Sequence, residues 1–297
     1  MRVFVTGATG FVGSAVVEDL IAAGHHVLGL ARSDASEAAL LDAGATVHRG
    51  DLEDLDSLRR GADMADGVIH TGFIHDFARF KEVCQIDGLA IAALGDALVG
   101  TNKPLVVTAG LALVAPGRLA VETDTGPTVS DTYPRMSEQQ AAAALARGVH
   151  VSVVRLAPSV HGDGDYGFIP MLIDVARQKG VSAYIGDGRN RWAAIPRQAA
   201  GSLFRLALEK GQPGANYHGC AEEGIVFNEI AEAIGRGLNI PAVSKTLAEA
   251  RDHFGWFAAF AGIDCAASSS VTRATLGWCP SGSGLIEDLR QGRYFDV

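Results

Sequence analysis

Apolar and polar residues follow two different rhythms along the chain. Short continuous apolar runs have the length of buried parallel strands, and the stretches between them repeat apolar residues every three or four positions, as helices do. The runs predict strands at 3–5, 26–30, 45–50, 67–71, 104–108 and 149–156. The intervening pattern predicts helices at 11–23, from residue 54, at 76–99 and at 134–147. This alternation predicts an α/β fold with a doubly wound parallel sheet, in a domain of residues 1–160.

The pattern is less regular after Pro158. It predicts helices at about 167–179, 196–210, 226–237, 246–260 and 284–291, and short strands at 182–185 and 216–218. We therefore expect a smaller, mainly C-terminal α/β lobe over residues 161–297, parts of which can return to the sheet of the first domain.

A glycine-rich turn, Thr6–Gly13, joins the first predicted strand to the first predicted helix. Gly7 can take a tight turn that a side chain would forbid, Gly10 lets the backbone approach a pyrophosphate, and Gly13 lets the helix pack closely on the strand. Free N–H groups and the helix dipole favour a doubly charged ligand at the same place. This order of strand, glycine turn and helix predicts a Rossmann domain that binds a dinucleotide. The alternative is a glycine-rich turn without a ligand.

The end of the second predicted strand bears on which dinucleotide binds. In NAD-binding folds an acidic residue at this place takes the ribose 2′-hydroxyl. Here Arg32 and Ser33 follow the strand, and a guanidinium beside a hydroxyl suits a 2′-phosphate. We therefore expect NADP(H). In the alternative interpretation Arg32 is a solvated loop charge and Asp34 contacts the ribose.

Further cofactor contacts are expected at the C-terminal ends of the predicted strands, where a doubly wound sheet binds its ligand. Asp51 can reach the adenine edge, cap the next helix, or do both. Gly72 offers bare backbone beside the cofactor. The full predicted set is Gly7, Thr9, Gly10, Phe11, Val12, Gly13, Arg32, Ser33, Asp51, Leu52, Thr71, Gly72, Phe73, Thr108, Ala157, Pro158 and Ser159.

Over nearly its whole length the chain resembles an extended short-chain dehydrogenase/reductase, of the kind that includes NAD-dependent epimerases and dehydratases. The stretches that carry the resemblance are Thr6–Gly13, Gly50–Leu52, Val68–Thr71, Val154–Gly162 and Ile185–Gly188. The resemblance implies hydride transfer between NAD(P) and a carbonyl or an alcohol. Members of that family reduce, epimerise or dehydrate sugar nucleotides, steroids, flavonoids and other carbonyl compounds.

The chain departs from this family at the usual catalytic residues. The family uses a Ser or Thr after the fifth strand and a Tyr-x-x-x-Lys pair, in which the Lys lowers the pKa of the Tyr. Here Gly110 or Leu111 stands at the serine position, and Ser137 lies four residues after Tyr133. No lysine occurs in 104–178. The chain therefore resembles the atypical subgroup, which keeps the glycine motif and lacks the usual active site.

A substitute proton donor is needed for carbonyl reduction. The candidates are Tyr133, Thr108 and His161. Because Tyr133 precedes Pro134, we expect it before a helix rather than inside one. Arg135 can replace the missing cation or be a surface charge, and His161 can instead be structural. The predicted substrate pocket contains Phe73, His75, Leu111, Tyr133, Tyr166 and Trp192. Such an apolar lining favours a hydrophobic or cyclic substrate over a sugar nucleotide.

Composition and charge narrow the possible partners. The formal net charge is −9, which argues against a general nucleic-acid partner. No apolar run reaches membrane-spanning length, and the chain starts directly with a strand. We therefore expect no membrane association, no signal peptide and a cytoplasmic location. The helices predicted at 76–99 and 134–147 are those through which related enzymes often dimerise, so a homodimer is considered.

No metal site is predicted. The four cysteines lack the CxxC spacing of zinc sites and are expected to be reduced thiols. Asp163 and Asp165 alternate with glycines, but the further oxygen ligands of a calcium loop are missing. A turn is the favoured interpretation there.

These observations favour an NADPH-dependent oxidoreductase with a non-standard proton donor. It would transfer hydride to a small, mostly apolar carbonyl, imine or activated alkene. Two alternatives remain open: an NADP(H)-binding redox-sensing regulatory protein without turnover, favoured by the lost Ser and Lys, and a sugar-nucleotide epimerase or dehydratase-like enzyme. Substrate identity and stereochemistry stay open.

Overall fold

The computed structural model describes residues 1–295, which contain twelve strands and twelve α-helices. The strands are β1 (Arg2–Thr6), β2 (His26–Ala31), β3 (Thr46–Arg49), β4 (Gly67–His70), β5 (Leu105–Gly110), β6 (Val151–Leu156), β7 (Ser159–His161), β8 (Ser182–Ile185), β9 (Arg191–Pro196), β10 (Asn216–Gly219), β11 (Glu222–Val226) and β12 (Ala242–Lys245). The α-helices are α1 (Phe11–Ala22), α2 (Asp34–Asp42), α3 (Leu55–Asp63), α4 (Phe80–Leu98), α5 (Ser137–Ala146), α6 (Phe168–Lys179), α7 (Arg197–Lys210), α8 (Phe227–Leu238), α9 (Leu247–Phe254), α10 (Ala258–Ala261), α11 (Ser270–Leu276) and α12 (Leu285–Arg290). Short 3₁₀ turns lie at Phe77–Arg79 and Gly255–Phe257.

Seven strands form one parallel sheet in the order β10-β6-β5-β4-β1-β2-β3. Alternate residues of β1 face opposite sides, as strand geometry requires. Val3 and Val5 pack in a core that includes α1 and α7 residues, whereas Phe4 packs in a second core with α3 and α4. Apolar strands covered on both faces are typical of parallel sheets. The α/β, doubly wound fold predicted from the apolar runs is thereby confirmed.

The chain after β6 builds a smaller lobe and also returns to the sheet. Strands β7, β9 and β11 form a second sheet, and β8 pairs with β12. A separate core that includes Trp192 and Phe257 fills this lobe. In contrast, β10 extends the main sheet beside β6, and α7 packs on α1. A Cβ at Gly201 of α7 would lie 2.6 Å from the Ala15 carbonyl oxygen, so this glycine permits the close helix contact.

Most differences from the predicted elements have a local cause. The pattern does not predict α2, which is rich in alanine and buries Leu40 alone. The helix predicted at 134–147 begins at Ser137, whose side chain is buried against Asp87. The helix predicted at 246–260 is interrupted at Gly255, which has a φ of +59°, outside the helical range. The pattern also misses β7, β9, β11, β12 and α11, of which β9, with six residues, is as long as β2, β5 and β6.

Residues 1–295 contain neither a membrane-spanning helix nor a cluster of side chains arranged to hold a metal ion. None of the helices described there is both long and apolar enough to cross a membrane. No group of three or more His, Cys, Asp or Glu side chains in the same residues is arranged to hold a metal ion.

Candidate active site

The glycine turn forms a close-packed cradle at the start of α1. Gly7 has a φ of +64°, which side-chain-bearing residues rarely adopt. A Cβ at Gly13 would lie 1.9 Å from the Gly7 carbonyl oxygen, so the helix can pack here only with glycine. A Cβ at Gly10 would meet only that carbonyl, at 3.2 Å, and the Tyr166 hydroxyl, at 3.6 Å. The space above Gly10, at a helix N-terminus, therefore fits the pyrophosphate of a dinucleotide.

Tyr166 lies over this cradle. The backbone N–H of Phe11 donates to Tyr166 Oη at 3.0 Å, and the two rings meet edge to face. The tyrosine is 62% exposed. Arg197 of α7 holds the other side of the turn, donating to the Phe11 carbonyl at 2.7 Å. The structure thus brings Tyr166 to the glycine turn. A phosphate bound at the Phe11 N–H would take the place of its hydroxyl.

The end of β2 presents an unpaired cation. Arg32 is exposed, and its guanidinium has no hydrogen-bond or ion-pair partner among residues 1–295. Asp34, the alternative ribose contact, pairs with Arg49 at 2.9 Å. Ser33 caps α2 by accepting from the Ser36 N–H. Asp51 accepts from two backbone N–H groups at 2.8 and 3.0 Å, so its carboxylate stabilises the turn before α3.

The hydroxyl groups at the ends of β4 and β5 bind backbone. Thr71 donates to the Thr6 carbonyl, and Thr108 donates to the His70 carbonyl, each at 2.7 Å. A Cβ at Gly110, a candidate for the family's serine position, would meet no atom within 4 Å. Leu111 beside it is buried in the core. The fifth strand therefore ends in open space, without a side chain that could donate a proton there.

The remaining predicted cofactor contacts lie near these groups or in the core. Thr9 is exposed at the turn, and Val12 packs against the core of the first domain. Leu52 packs beside Gly72, where a Cβ would lie 2.9 Å from its side chain. At the end of β6 Pro158 is half-buried, whereas Ala157 and Ser159 are buried.

Tyr133 lies before α5, in a turn closed by hydrogen bonds with Ser130. This is the position that its place before Pro134 predicts. Burial raises the pKa of its phenol, and the nearby Arg135 charge opposes the rise. Tyr133 is therefore protonated at neutral pH.

Arg135 is half-buried next to Tyr133. Its guanidinium lies 4.3 Å from the Phe73 ring centroid, a cation–π arrangement. Its Nε donates to Ser137 Oγ at 3.2 Å. Partial burial and the Arg135 charge together lower the pKa of His75, so this imidazole is neutral at pH 7. The structure thus brings Tyr133, His75 and Phe73 around one arginine.

A buried polar chain, made of Thr6, His70, Asp87 and Ser137, runs from the glycine turn to Arg135. His70 Nδ1 lies 2.8 Å from Thr6 Oγ1, and Nε2 donates to Asp87 Oδ1 at 3.1 Å. Ser137 donates to Asp87 Oδ2 at 2.7 Å. Burial raises the pKa of Asp87, but His70, Arg135 and Ser137 together outweigh that effect, so the pKa falls below its usual value. Asp87 is therefore a carboxylate, 2% exposed.

Sequence reasoning missed Asp87 and its partner His70. A signal was present, because Asp87 interrupts the apolar face of α4 between Cys84 and Ile91, both fully buried. A charge on the buried face of a helix needs a partner.

An aromatic cluster, made of Phe73, His75, Phe77, Phe80 and Trp256, joins the first domain to the lobe. Phe77 stacks on Trp256 at 4.9 Å and on Phe80 at 5.9 Å, and Phe73 meets His75 at 5.3 Å. Trp256 is 52% exposed. Its contact with Phe77 places it at the junction of the two parts.

Trp192 and His161 lie away from this cluster. Trp192 is 1% exposed and packs edge to face on Phe227 and Phe257 in the lobe core. His161 is fully buried, and its Nδ1 lies 2.6 Å from Asp288. Neither side chain reaches Tyr133 or Arg135. Arg155 is also buried and binds Glu138 through two hydrogen bonds, at 2.8 and 2.7 Å.

The loop after β7 is held by side-chain contacts to the end of the chain. Asp165 accepts from the Gly167 N–H at 2.7 Å and from the Tyr294 hydroxyl at 2.9 Å. Asp163 pairs with Arg293 at 2.5 Å. Burial raises the pKa of Asp165 to about 6. Asp165 thus stabilises the turn, and both aspartates bind side chains near the end of the chain.

Solved structures share the fold of this chain. The fold matches that of a dTDP-glucose 4,6-dehydratase, the DesIV double mutant from Streptomyces venezuelae with NAD and DAU bound, with a TM-score of 0.77. The match covers 99% of this chain and 97% of that chain at 20% identity. At this identity the likeness supports the fold alone.

Two sequence relatives match most of the length of this chain. The uncharacterized protein C2A9.02 of Schizosaccharomyces pombe is 47% identical over 297 residues, covering 99% of this chain and 100% of that protein. The 2-alkyl-3-oxoalkanoate reductase of Stenotrophomonas maltophilia is 28% identical over 265 residues, 83% of this chain and 78% of the relative. Residues 3–217 match the model of the NAD dependent epimerase/dehydratase family. With its glycine cradle and parallel sheet, this chain belongs to the NAD dependent epimerase/dehydratase family.

Proposed function

We propose that the protein is an NADPH-dependent reductase of a small, mostly apolar carbonyl compound. The observation that carries the proposal is the arrangement at the C-terminal edge of the sheet. There the Arg135 guanidinium lies over the Phe73 ring of the aromatic cluster, and its charge acts on the Tyr133 phenol. A proton donor, a cation and an apolar wall are what carbonyl reduction requires of the protein.

The cofactor preference rests on the end of β2. Arg32 is exposed and unpaired within residues 1–295, and Ser33 lies next to it, so both can reach a 2′-phosphate. Asp34 is engaged by Arg49. The cradle around Gly10 would hold the pyrophosphate. When bound, NADPH supplies the hydride, that is, the two electrons and one hydrogen that reduce the carbonyl carbon.

Tyr133 supplies the second hydrogen in this proposal. Its raised pKa keeps the phenol protonated, which is the form needed to donate to an oxygen that gains negative charge. The proton passes from Tyr133 Oη to the carbonyl oxygen, giving the alcohol, and the phenolate takes a proton from solvent. Arg135 stabilises that phenolate transiently, because its charge favours the deprotonated form.

The apolar substrate class rests on the aromatic cluster. The names of two relatives support it. One is the 2-alkyl-3-oxoalkanoate reductase described above. The other, from Stigmatella aurantiaca, is a ketoreductase of a farnesyl-bearing dihydroquinoline oxide, 28% identical over 228 residues. Both names describe reduction of an oxo compound that carries apolar groups.

Fluorescence titration of the purified protein with NADPH and with NADH tests the cofactor. We expect NADPH to bind at least ~10-fold more tightly, and Arg32→Ala to remove about 1.4 kcal/mol of that preference. Arg177→Ala is the control, since Arg177 is exposed on α6. Equal binding of the two cofactors would contradict the NADP assignment.

Steady consumption of NADPH with a panel of alkyl and aryl ketones then tests turnover. We expect at least one ketone to be reduced. Tight NADPH binding without consumption of any panel member would favour the NADP(H)-sensing alternative. Binding of neither cofactor would contradict the proposal as a whole.

A further inference from the structure

Arg135 has an unused hydrogen-bonding end beside the aromatic cluster. Its Nε donates to Ser137 Oγ, but neither terminal nitrogen has a partner among residues 1–295. A guanidinium carries five N–H donors in a planar fork. Four of those donors, on the two terminal nitrogens, therefore face no acceptor in the described chain.

The acidic side chains that could neutralise Arg135 are already engaged. Asp87 is bonded by His70 and Ser137, and its hydrogen-bonded link to Arg135 runs through the serine. Glu138 is bound by two nitrogens of Arg155. Asp131 pairs with Lys81 at 2.7 Å. The molecule thus keeps a half-buried cation whose nearest acids are committed to other groups.

The position of Arg135 is fixed from two sides. The Phe73 ring lies under the guanidinium at 4.3 Å, and Ser137 holds Nε while its own hydroxyl is anchored on the fully buried Asp87. Because the guanidinium is held at Nε and along one face, it can bind a planar anion with two oxygens while losing little side-chain entropy. A carboxylate has that shape.

We propose that Arg135 binds the carboxylate of an oxo-acid substrate, whose apolar chain lies along Phe77 and Trp256. This inference rests on the proposed reductase function and narrows its substrate class. The carboxylate binds as a spectator group, and the reacting carbonyl is the one next to Tyr133. Ser137 and Asp87 act as positioning residues for Arg135.

The test compares straight-chain oxo acids of different oxo positions with their methyl esters, at saturating NADPH. In the wild-type protein we expect kcat/KM for the best acid to exceed that for its ester by about 30-fold, the range of a charge-assisted hydrogen-bonded pair. Arg135→Gln should remove this preference by raising KM for the acid and not for the ester. Its kcat should fall by the same factor for both substrates, because Arg135 also stabilises the Tyr133 phenolate. Arg135→Lys should restore part of it. Arg177→Gln on α6 is the matched control.

A second variant, Ser137→Ala, tests whether Ser137 positions Arg135. It should raise KM for the acid about 5-fold, since Arg135 loses its anchor, and leave KM for the ester unchanged. A purely structural role of Ser137 would change both substrates equally.

Three results would overturn the inference. Equal rates for acids and esters in the wild-type protein would leave the reductase function intact and remove the carboxylate site. An Arg135→Gln variant that loses kcat for both substrates but keeps the wild-type ratio of KM between ester and acid would restrict the role of Arg135 to the Tyr133 phenolate. Calorimetric titration with a saturated alkanoate in the presence of NADP is independent of turnover. It should show about 10-fold weaker binding to Arg135→Gln, and equal binding would also overturn the inference.

Discussion

The glycine turn and the segment before α5 hold the two halves of the site in different ways. The glycine turn presents backbone, and a side chain is excluded at Gly13 because its Cβ would overlap the Gly7 carbonyl. Before α5, the groups proposed to meet the substrate are side chains, and Arg135 is held by other side chains. Arg135 depends on Ser137, and Ser137 depends on Asp87.

Thr6 joins the two regions. Its backbone belongs to the end of β1, and its hydroxyl accepts the Gly72 N–H at 3.2 Å and contacts His70 of the buried polar chain. The glycine turn and the buried polar chain that leads to Arg135 therefore share one residue.

Removing the Asp87 carboxylate, at the centre of the buried polar chain, should have the largest effect on the free energy of unfolding. Asp87→Ala leaves His70 and Ser137 without their buried acceptor, and should lower the free energy of unfolding by about 3–5 kcal/mol. Urea unfolding measures it. Asp63→Ala, an exposed carboxylate on α3, should change it by less than about 0.5 kcal/mol. A loss below about 1 kcal/mol for Asp87→Ala would show that the buried polar chain is not stabilising.

Loss of the proposed proton donor, Tyr133, should lower turnover. Tyr133→Phe should lower kcat by about 100-fold or more, since positioned proton donors contribute 10²–10⁴-fold, with the dissociation constant of NADPH unchanged. Stopped-flow single turnover measures the chemical step directly. Full activity in Tyr133→Phe would exclude the phenol and direct attention to His75, which also lies in the aromatic cluster.

Adding a single methyl group to the glycine turn should lower stability and weaken cofactor binding. Gly13→Ala places a Cβ 1.9 Å from the Gly7 carbonyl oxygen. It should cost about 3 kcal/mol of stability, and the displaced turn should weaken NADPH binding by more than ~10-fold. Gly110→Ala is the control for stability, because no atom lies within 4 Å of its added Cβ. Equal behaviour of the two variants would mean that α1 can move away from the turn.

The same contrast explains what the sequence alone could predict. The sheet and the glycine turn follow from apolar runs and glycine spacing, because both are local properties of the chain. The helix start at Ser137 and the role of Arg135 depend on Asp87, 50 residues away from Ser137. Trp256 meets Phe77 only because the lobe folds back over the first domain. Such long-range pairs leave little trace in local patterns.

The smallest predicted effect concerns the loop after β7, whose Tyr166 contacts the glycine turn. Asp165 precedes Tyr166, and burial raises the pKa of Asp165 to about 6 from 3.8. A carboxyl with a raised pKa favours the folded state when protonated. Its contribution is therefore complete at low pH and is lost as the pH rises through about 6.

Asp165→Asn mimics the protonated form at every pH. At pH 7.5 the variant should unfold with about 1 kcal/mol more free energy than the wild type, a value discounted for partial exposure. At pH 5 the difference should be roughly half as large, because the carboxyl of the unfolded chain is already ionised there, and it should vanish only below about pH 3.8. Urea unfolding at both pH values measures it, with Asp163→Asn of the same loop as the control. A gain that is the same at both pH values would mean that the amide improves packing, and that the charge of Asp165 is not what destabilises the loop over the glycine turn.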